Sequence, residues 1–196
     1  MKSKIITICL ALISWGAFAQ HDHSNMNHNN MMNSNMSDQN KEMSVVNIDN
    51  TKAASSIIDN YLALKTALVK DNGDKAASSG GALYDAFDDF NISNQPAEHQ
   101  KELKNIIVDA SEHAEHISEN SGDIEHQREH FELLSKDVED LIVITGADRN
   151  MFQIYCPMYN NKEGGMWLSD SREIKNPFYG SKMMKCGNVQ KELAVK

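Results

Sequence analysis

The sequence predicts an all-α fold: a four-helix, up-down-up-down bundle with a C-terminal, largely non-helical cap that contains Cys and Met. Three observations carry this expectation. Four successive stretches repeat apolar residues at intervals of three and four, the period of an amphipathic helix. The connections between them are short, so neighbours in sequence become antiparallel neighbours in space. After Gly146 the helical period stops and turn-forming residues accumulate.

The first helix is expected over Ala53 to Asp71, where Ile57, Tyr61, Leu64 and Leu68 share one face. The second runs from Gly73 to Phe90 with Leu83, Phe87 and Phe90 on a stripe, its first half weakened by Gly80 and Gly81. Pro96 opens the third, because a first turn tolerates a residue without an amide hydrogen. Leu103, Ile106, Ala110, His113 and Ile117 then line its apolar side. A turn at Glu119 to Gly122 leads into the fourth and most regular stretch, with Ile124, Gln127, Phe131, Leu134, Val138, Leu141 and Thr145 in register and Gly146 as its stop. Beyond it, "MFQIYCPM" alternates like a strand, the remainder reads as turns, and a charged tail from Lys191 to Lys196 is expected to fray.

Residues 1–19 read as a secretory signal peptide. Lys2 and Lys4 precede the apolar run Ile5 to Phe18, which ends in an Ala17-Phe18-Ala19 cleavage pattern. The run is shorter than the roughly 20 residues a membrane-spanning helix needs. The mature chain is therefore expected to be exported, periplasmic and without an integral membrane segment. Residues 20–52 are expected to be a disordered His/Met-rich segment and a polar linker, and residues 53–190 the helical domain with its cap.

The formal charge is −9, and removing Lys2 and Lys4 with the leader makes the chain more acidic still. No basic block offers a surface for nucleic acid; cations are the better partner class. There is no G-x-S-x-G, H-E-x-x-H, P-loop or C-x-x-C, and the carboxylates fall on solvated helix faces, so a non-enzymatic role is expected.

Potential metal ligands concentrate in two places. The segment from Gln20 to Met43 carries His21, His23, His28, Met26, Met31, Met32, Met36 and Met43 among Asn, Ser and Asp. None of these side chains has apolar neighbours to pack with, so binding of a soft or borderline metal explains them better than packing does. Cleavage after Ala19 or after Gln20 leaves either Gln20 or His21 at the mature terminus. The second place is the tail, where Cys156 lies beside Met158 and Met183 beside Cys186. Thiolate and thioether donors select Cu(I), and a thiolate also takes Zn(II). In an extended segment Cys156 and Met158 would point to the same side. Two alternatives stay open: the methionines fill core gaps, or Cys156 and Cys186 form one disulfide in an oxidising compartment.

Histidines form a further set. His113 and His116 are three apart, and His126 and His130 four apart, so each pair shares a helical face. A tight turn between the two helices would bring the faces together. Solvation equally explains His116 and His126, and His113 fits a core position; His130, beside Phe131, is the best candidate ligand of the four.

"YCPM", "GGMWLSDSREIKNPFYGSKMMKCG" and "DIEHQREHFELLSKDVEDL" together resemble the DUF3347 family of exported bacterial proteins, whose domain also occurs attached to periplasmic adaptor subunits of heavy-metal efflux pumps. The likeness spans about Ile57 to Val189. Cys156, Pro157 and Met158 match the family's "CPM", and Trp167, Leu168 and Ser169 its "WLS". Asn176, Pro177 and Gly180 match "NPYFG", although Phe178 and Tyr179 stand in the reverse order here. Met183, Cys186 and Gly187 match the closing "M-x-x-C-G"; Arg128 and Phe131, with His130 between them, match "R-x-x-F". Met183 then takes the ligand role and Met184 packs, while Trp167, Asn176, Pro177 and Gly180 form the frame. The resemblance implies a helical domain associated with copper handling.

The resulting expectation is a copper-binding protein, with Cu(I) favoured and zinc or silver possible, that sequesters the ion or hands it to a heavy-metal efflux adaptor. Its folded site would hold Cys156, Met158, Met183 and Cys186, with His130, His126 and His113 as additional candidates. The rival is a structural or interaction module of the cell envelope whose cap is stapled by a Cys156–Cys186 disulfide.

Overall fold

The computed structural model describes residues 43–196. The expected signal peptide, residues 1–19, lies outside the described residues, as do the candidate ligands His21, His23, Met26, His28, Met31, Met32 and Met36.

The four expected helices are present as α1 (Ser55–Val69), α2 (Gly73–Asp88), α3 (Ala97–Glu119) and α4 (Ile124–Thr145). Side-chain caps start two of them: Asn72 accepts the Lys75 amide ahead of α2 and Asp123 the His126 amide ahead of α4, satisfying amides that a helix leaves unpaired. Gly146, at φ 76°, ends α4 in a conformation that suits glycine. α1 packs on α2, α2 on α3 and α3 on α4. The Tyr61 ring of α1 stacks on Phe131 of α4 at 5.2 Å and closes the bundle. Gly80 lets α2 approach α3 closely, because a Cβ there would lie 2.9 Å from Ile117 Cγ2 and 3.0 Å from the Ala114 carbonyl. The glycine that the sequence offered as a weakness is thus a packing requirement.

The all-α expectation is overturned by a four-stranded mixed sheet. Strands β1 (Ser44–Ile48), β2 (Met151–Cys156), β3 (Gly165–Ser169) and β4 (Asn188–Val195) lie in the order β1-β4-β2-β3. β1 runs parallel to β4, from Ser44 opposite Lys191 to Ile48 opposite Val195. β2 is antiparallel to both β3 and β4. Two boundaries change with it. Residues 44–48 of the expected linker form an edge strand, and the expected fraying tail forms most of a strand paired on both sides. Its charges mislead because they are partnered: Lys191 Nζ lies 2.6 Å from Glu139 of α4, and Glu192 lies 2.6 Å from Arg172. Leu193, next along the strand, is buried.

Bundle and sheet share one core, in which Ile154, Trp167, Leu168, Phe178 and Leu193 join the helical residues. Polar side chains fix the junction. The Tyr61 hydroxyl accepts the Leu168 amide at 2.9 Å and pairs with Ser135 Oγ at 2.7 Å. Arg128, 2% exposed, donates to the Pro177 carbonyl of the cap, the Leu68 carbonyl of α1 and the Asp71 carboxylate. A buried guanidinium is tolerable only when it is paired this fully. Among the described residues no helix is long and apolar enough to cross a membrane.

Candidate metal centre

The turn Asn120–Asp123 reverses the chain, so that the last turns of α3 lie against the first turns of α4. Helical spacing puts His113 and His116 on one face of α3, and His126 and His130 on the facing side of α4. The four imidazoles meet there. His116, His126 and His130 each offer a ring nitrogen, and these three atoms lie within 4.8 Å of one another. His116 and His130 stack at 4.4 Å between centroids, and His126 stands nearly perpendicular to His130 at 4.6 Å. His113 Nδ1 lies 3.1 Å from His130 Nδ1, a hydrogen bond in which one ring donates.

Two nearly parallel rings cannot both aim an in-plane lone pair at one ion. The 12° angle between His116 and His130 means that capture turns one ring about χ2, a broad torsion for histidine. Zn–N and comparable bonds are about 2.0–2.1 Å, so three imidazoles on one ion would need their nitrogens to draw closer than they lie here.

The electrostatics favour the ligand form. Burial, reinforced by the neighbouring histidines, pushes the pKa of His130 down to about 4. Burial also lowers that of His113, against the opposing pull of Glu112 and Asp109. A neutral imidazole is the form that binds metal, so these two need shed no proton near neutral pH. On the rim, His126 Nδ1 lies 3.3 Å from Glu129 and His116 Nε2 lies 4.0 Å from Glu112.

The thiols lie elsewhere. Cys156 ends β2 and Cys186 lies just before β4, with their sulfurs 2.7 Å apart. Cys156 is fully buried, and burial followed by the contact with Cys156 pushes the Cys186 thiol up to about 11. A thiol held protonated in this way is a poor ligand until something removes its proton.

Met158 does not share the side of Cys156. β2 ends at Cys156 and Met158 takes up αR angles, so the extended geometry assumed for "CPM" stops short, leaving Met158 43% exposed and Met183 38% exposed. The structure brings the four histidines together, and separately the two cysteines. His130 pairs with the histidines of α3 and α4, while the cysteines belong to the sheet and cap.

Two residues that matter here went unread as site elements. Asp137 sits seven positions after His130 on the same face of α4, a spacing that would have revealed it. Arg128, matched only as part of a motif, pins the cap to α1 and α4.

No curated protein and no solved structure matches the chain. One family model does match, over residues 57–150, and its description is a protein of unknown function. The match takes in α1 to α4 and stops before the Cys156 and Cys186 motifs. Residues 57–150 thus match the DUF3347 family, the one that the sequence motifs resemble.

Proposed function

We propose that this chain is an exported metal-binding protein whose folded domain takes copper as cargo between α3 and α4. His116, His126 and His130 are the ligands in this reading, and the protein sequesters the ion or passes it to a partner such as an efflux adaptor. The observation that carries it is the convergence of three imidazole nitrogens within 4.8 Å. Imidazole sets suit copper and zinc, and among divalent first-row ions Cu(II) binds most tightly to such donors. The His/Met segment from His21 to Met36 supports the same cargo from the sequence side and adds donors suited to Cu(I) and silver.

The test is a copper titration of the full chain with His21, His23 and His28 replaced by Asn, with and without further replacement of His116, His126 and His130. Loss of one tightly bound equivalent in the second protein supports the reading. An unchanged stoichiometry sinks it.

A second reading is favoured by the cysteine geometry. With sulfurs 2.7 Å apart, Cys156 and Cys186 are placed to staple the cap rather than to share an ion with Met158 and Met183. In this reading Cys156→Ser lowers thermal stability and leaves copper binding unchanged; binding that survives loss of the three histidines and disappears with Cys156→Ser would favour the thiolate and thioether site instead.

A further inference from the structure

The His116, His126 and His130 site accounts for three of the four clustered imidazoles and leaves His113 and its neighbour Asp137 without a role. Asp137 Oδ2 is buried and has no hydrogen-bond partner among the described residues. His113 Nε2 lies 4.0 Å from it. His113 in turn touches His130 through its other nitrogen, Nδ1 to Nδ1 at 3.1 Å. The three side chains form a line running from a carboxylate through one imidazole to a second imidazole that belongs to the three-histidine cluster.

We infer that Asp137 and His113 are positioning residues that orient His130 as a metal ligand. This rests on the three-histidine reading. The carboxylate favours the proton on His113 Nε2, which leaves Nδ1 with its lone pair. His130 then donates its Nδ1–H to His113, and its Nε2 lone pair is left free for the ion. Histidine ligands usually donate their second ring nitrogen to a carboxylate, carbonyl or water; here a histidine backed by a carboxylate fills that place. The 4.0 Å gap from Asp137 is too long for a hydrogen bond, and either a small rotation of the His113 ring or one bridging water closes it. The arrangement also explains why a carboxylate oxygen is retained without a partner inside a helix pair: its partner becomes a stronger donor once the far imidazole carries a cation.

The experiment uses the full chain with His21, His23 and His28 replaced by Asn, titrated with Cu(II). Affinity is read by chelator competition, and the number of bound imidazoles by pulsed EPR. His113→Ala and Asp137→Leu are each expected to weaken binding about 10- to 100-fold. The bound-imidazole count stays at that of the reference, the double variant is no worse than the weaker single one, and His113→Gln recovers part of the loss. Loss of one bound imidazole in His113→Ala would make His113 a ligand and overturn the inference, as would unchanged affinity in Asp137→Leu or additive losses in the double variant. If the reference itself shows no multi-imidazole copper signal, the three-histidine reading falls first and the inference falls with it. Asp137→Leu keeps the side-chain bulk, and far-UV circular dichroism verifies that each variant is folded.

Discussion

Oxidising the Cys156–Cys186 pair should stabilise the domain, and the magnitude follows from where the fold places the two thiols. Their sulfurs face each other at 2.7 Å across a sequence separation of 30 residues. A cross-link closing a loop of that size removes unfolded-state entropy worth about 3.7 kcal/mol at room temperature. For a chain of this length each kcal/mol moves the melting temperature by about 2–4 °C, so the oxidised form should melt about 7–15 °C above the reduced one. The assay is thermal unfolding followed by far-UV circular dichroism with and without reductant, with free thiols counted in each sample. Cys156→Ser should melt near the reduced wild type and ignore reductant. Equal melting temperatures for verified oxidised and reduced protein would refute the staple, as would cross-links that form only between molecules. The raised thiol pKa of Cys186 further predicts that air oxidation is slow near neutral pH, because the attacking species is the thiolate.

Arg128→Met should cost about 1–3 kcal/mol in urea unfolding, because it takes a donor from the buried Pro177 carbonyl and from the Leu68 carbonyl, and Arg128→Lys should recover little, since one ammonium cannot reproduce the planar fork; a change within about 0.5 kcal/mol of zero contradicts the clamp. Gly80→Ala should destabilise by about 1–3 kcal/mol through the clash with Ile117 and the Ala114 carbonyl, whereas helix propensity alone would give a gain of about 1 kcal/mol; chemical denaturation separates the two signs. His130, with its pKa held near 4 against an unfolded value of about 6.5, releases a proton on folding between those limits. Wild type should therefore lose stability relative to His130→Asn as pH falls from about 6.5 to about 4, and a gap that does not vary with pH would show that His130 is not held neutral by burial.

Most of the helical half was legible in the sequence because its information is local. Ile57, Tyr61, Leu64 and Leu68 repeat with the helical period whatever they pack against, and Gly146 marks the end of α4 by its own chemistry. The pairing of His113 with His116 and of His126 with His130 was local in the same sense, and a short turn sufficed to predict that the two faces meet.

The sheet was not legible, because its partners lie far apart in the chain. Ser44 finds Lys191, and β4 reads as a charged tail until Glu139 and Arg172 supply counter-charges from other elements. Periodicity over eight residues cannot reveal a partner almost 150 positions away. The relation between Cys156 and Met158 depended likewise on where β2 stops, which the sheet decides. By itself the sequence determined four helices, their order and where residues of metal-ligating type concentrate. Only the tertiary structure decided how closely the imidazoles approach one another, that the thiols face each other within the cap, and that Asp137 lies behind His113, because each of these is a distance set by packing between segments rather than by the order of residues within one.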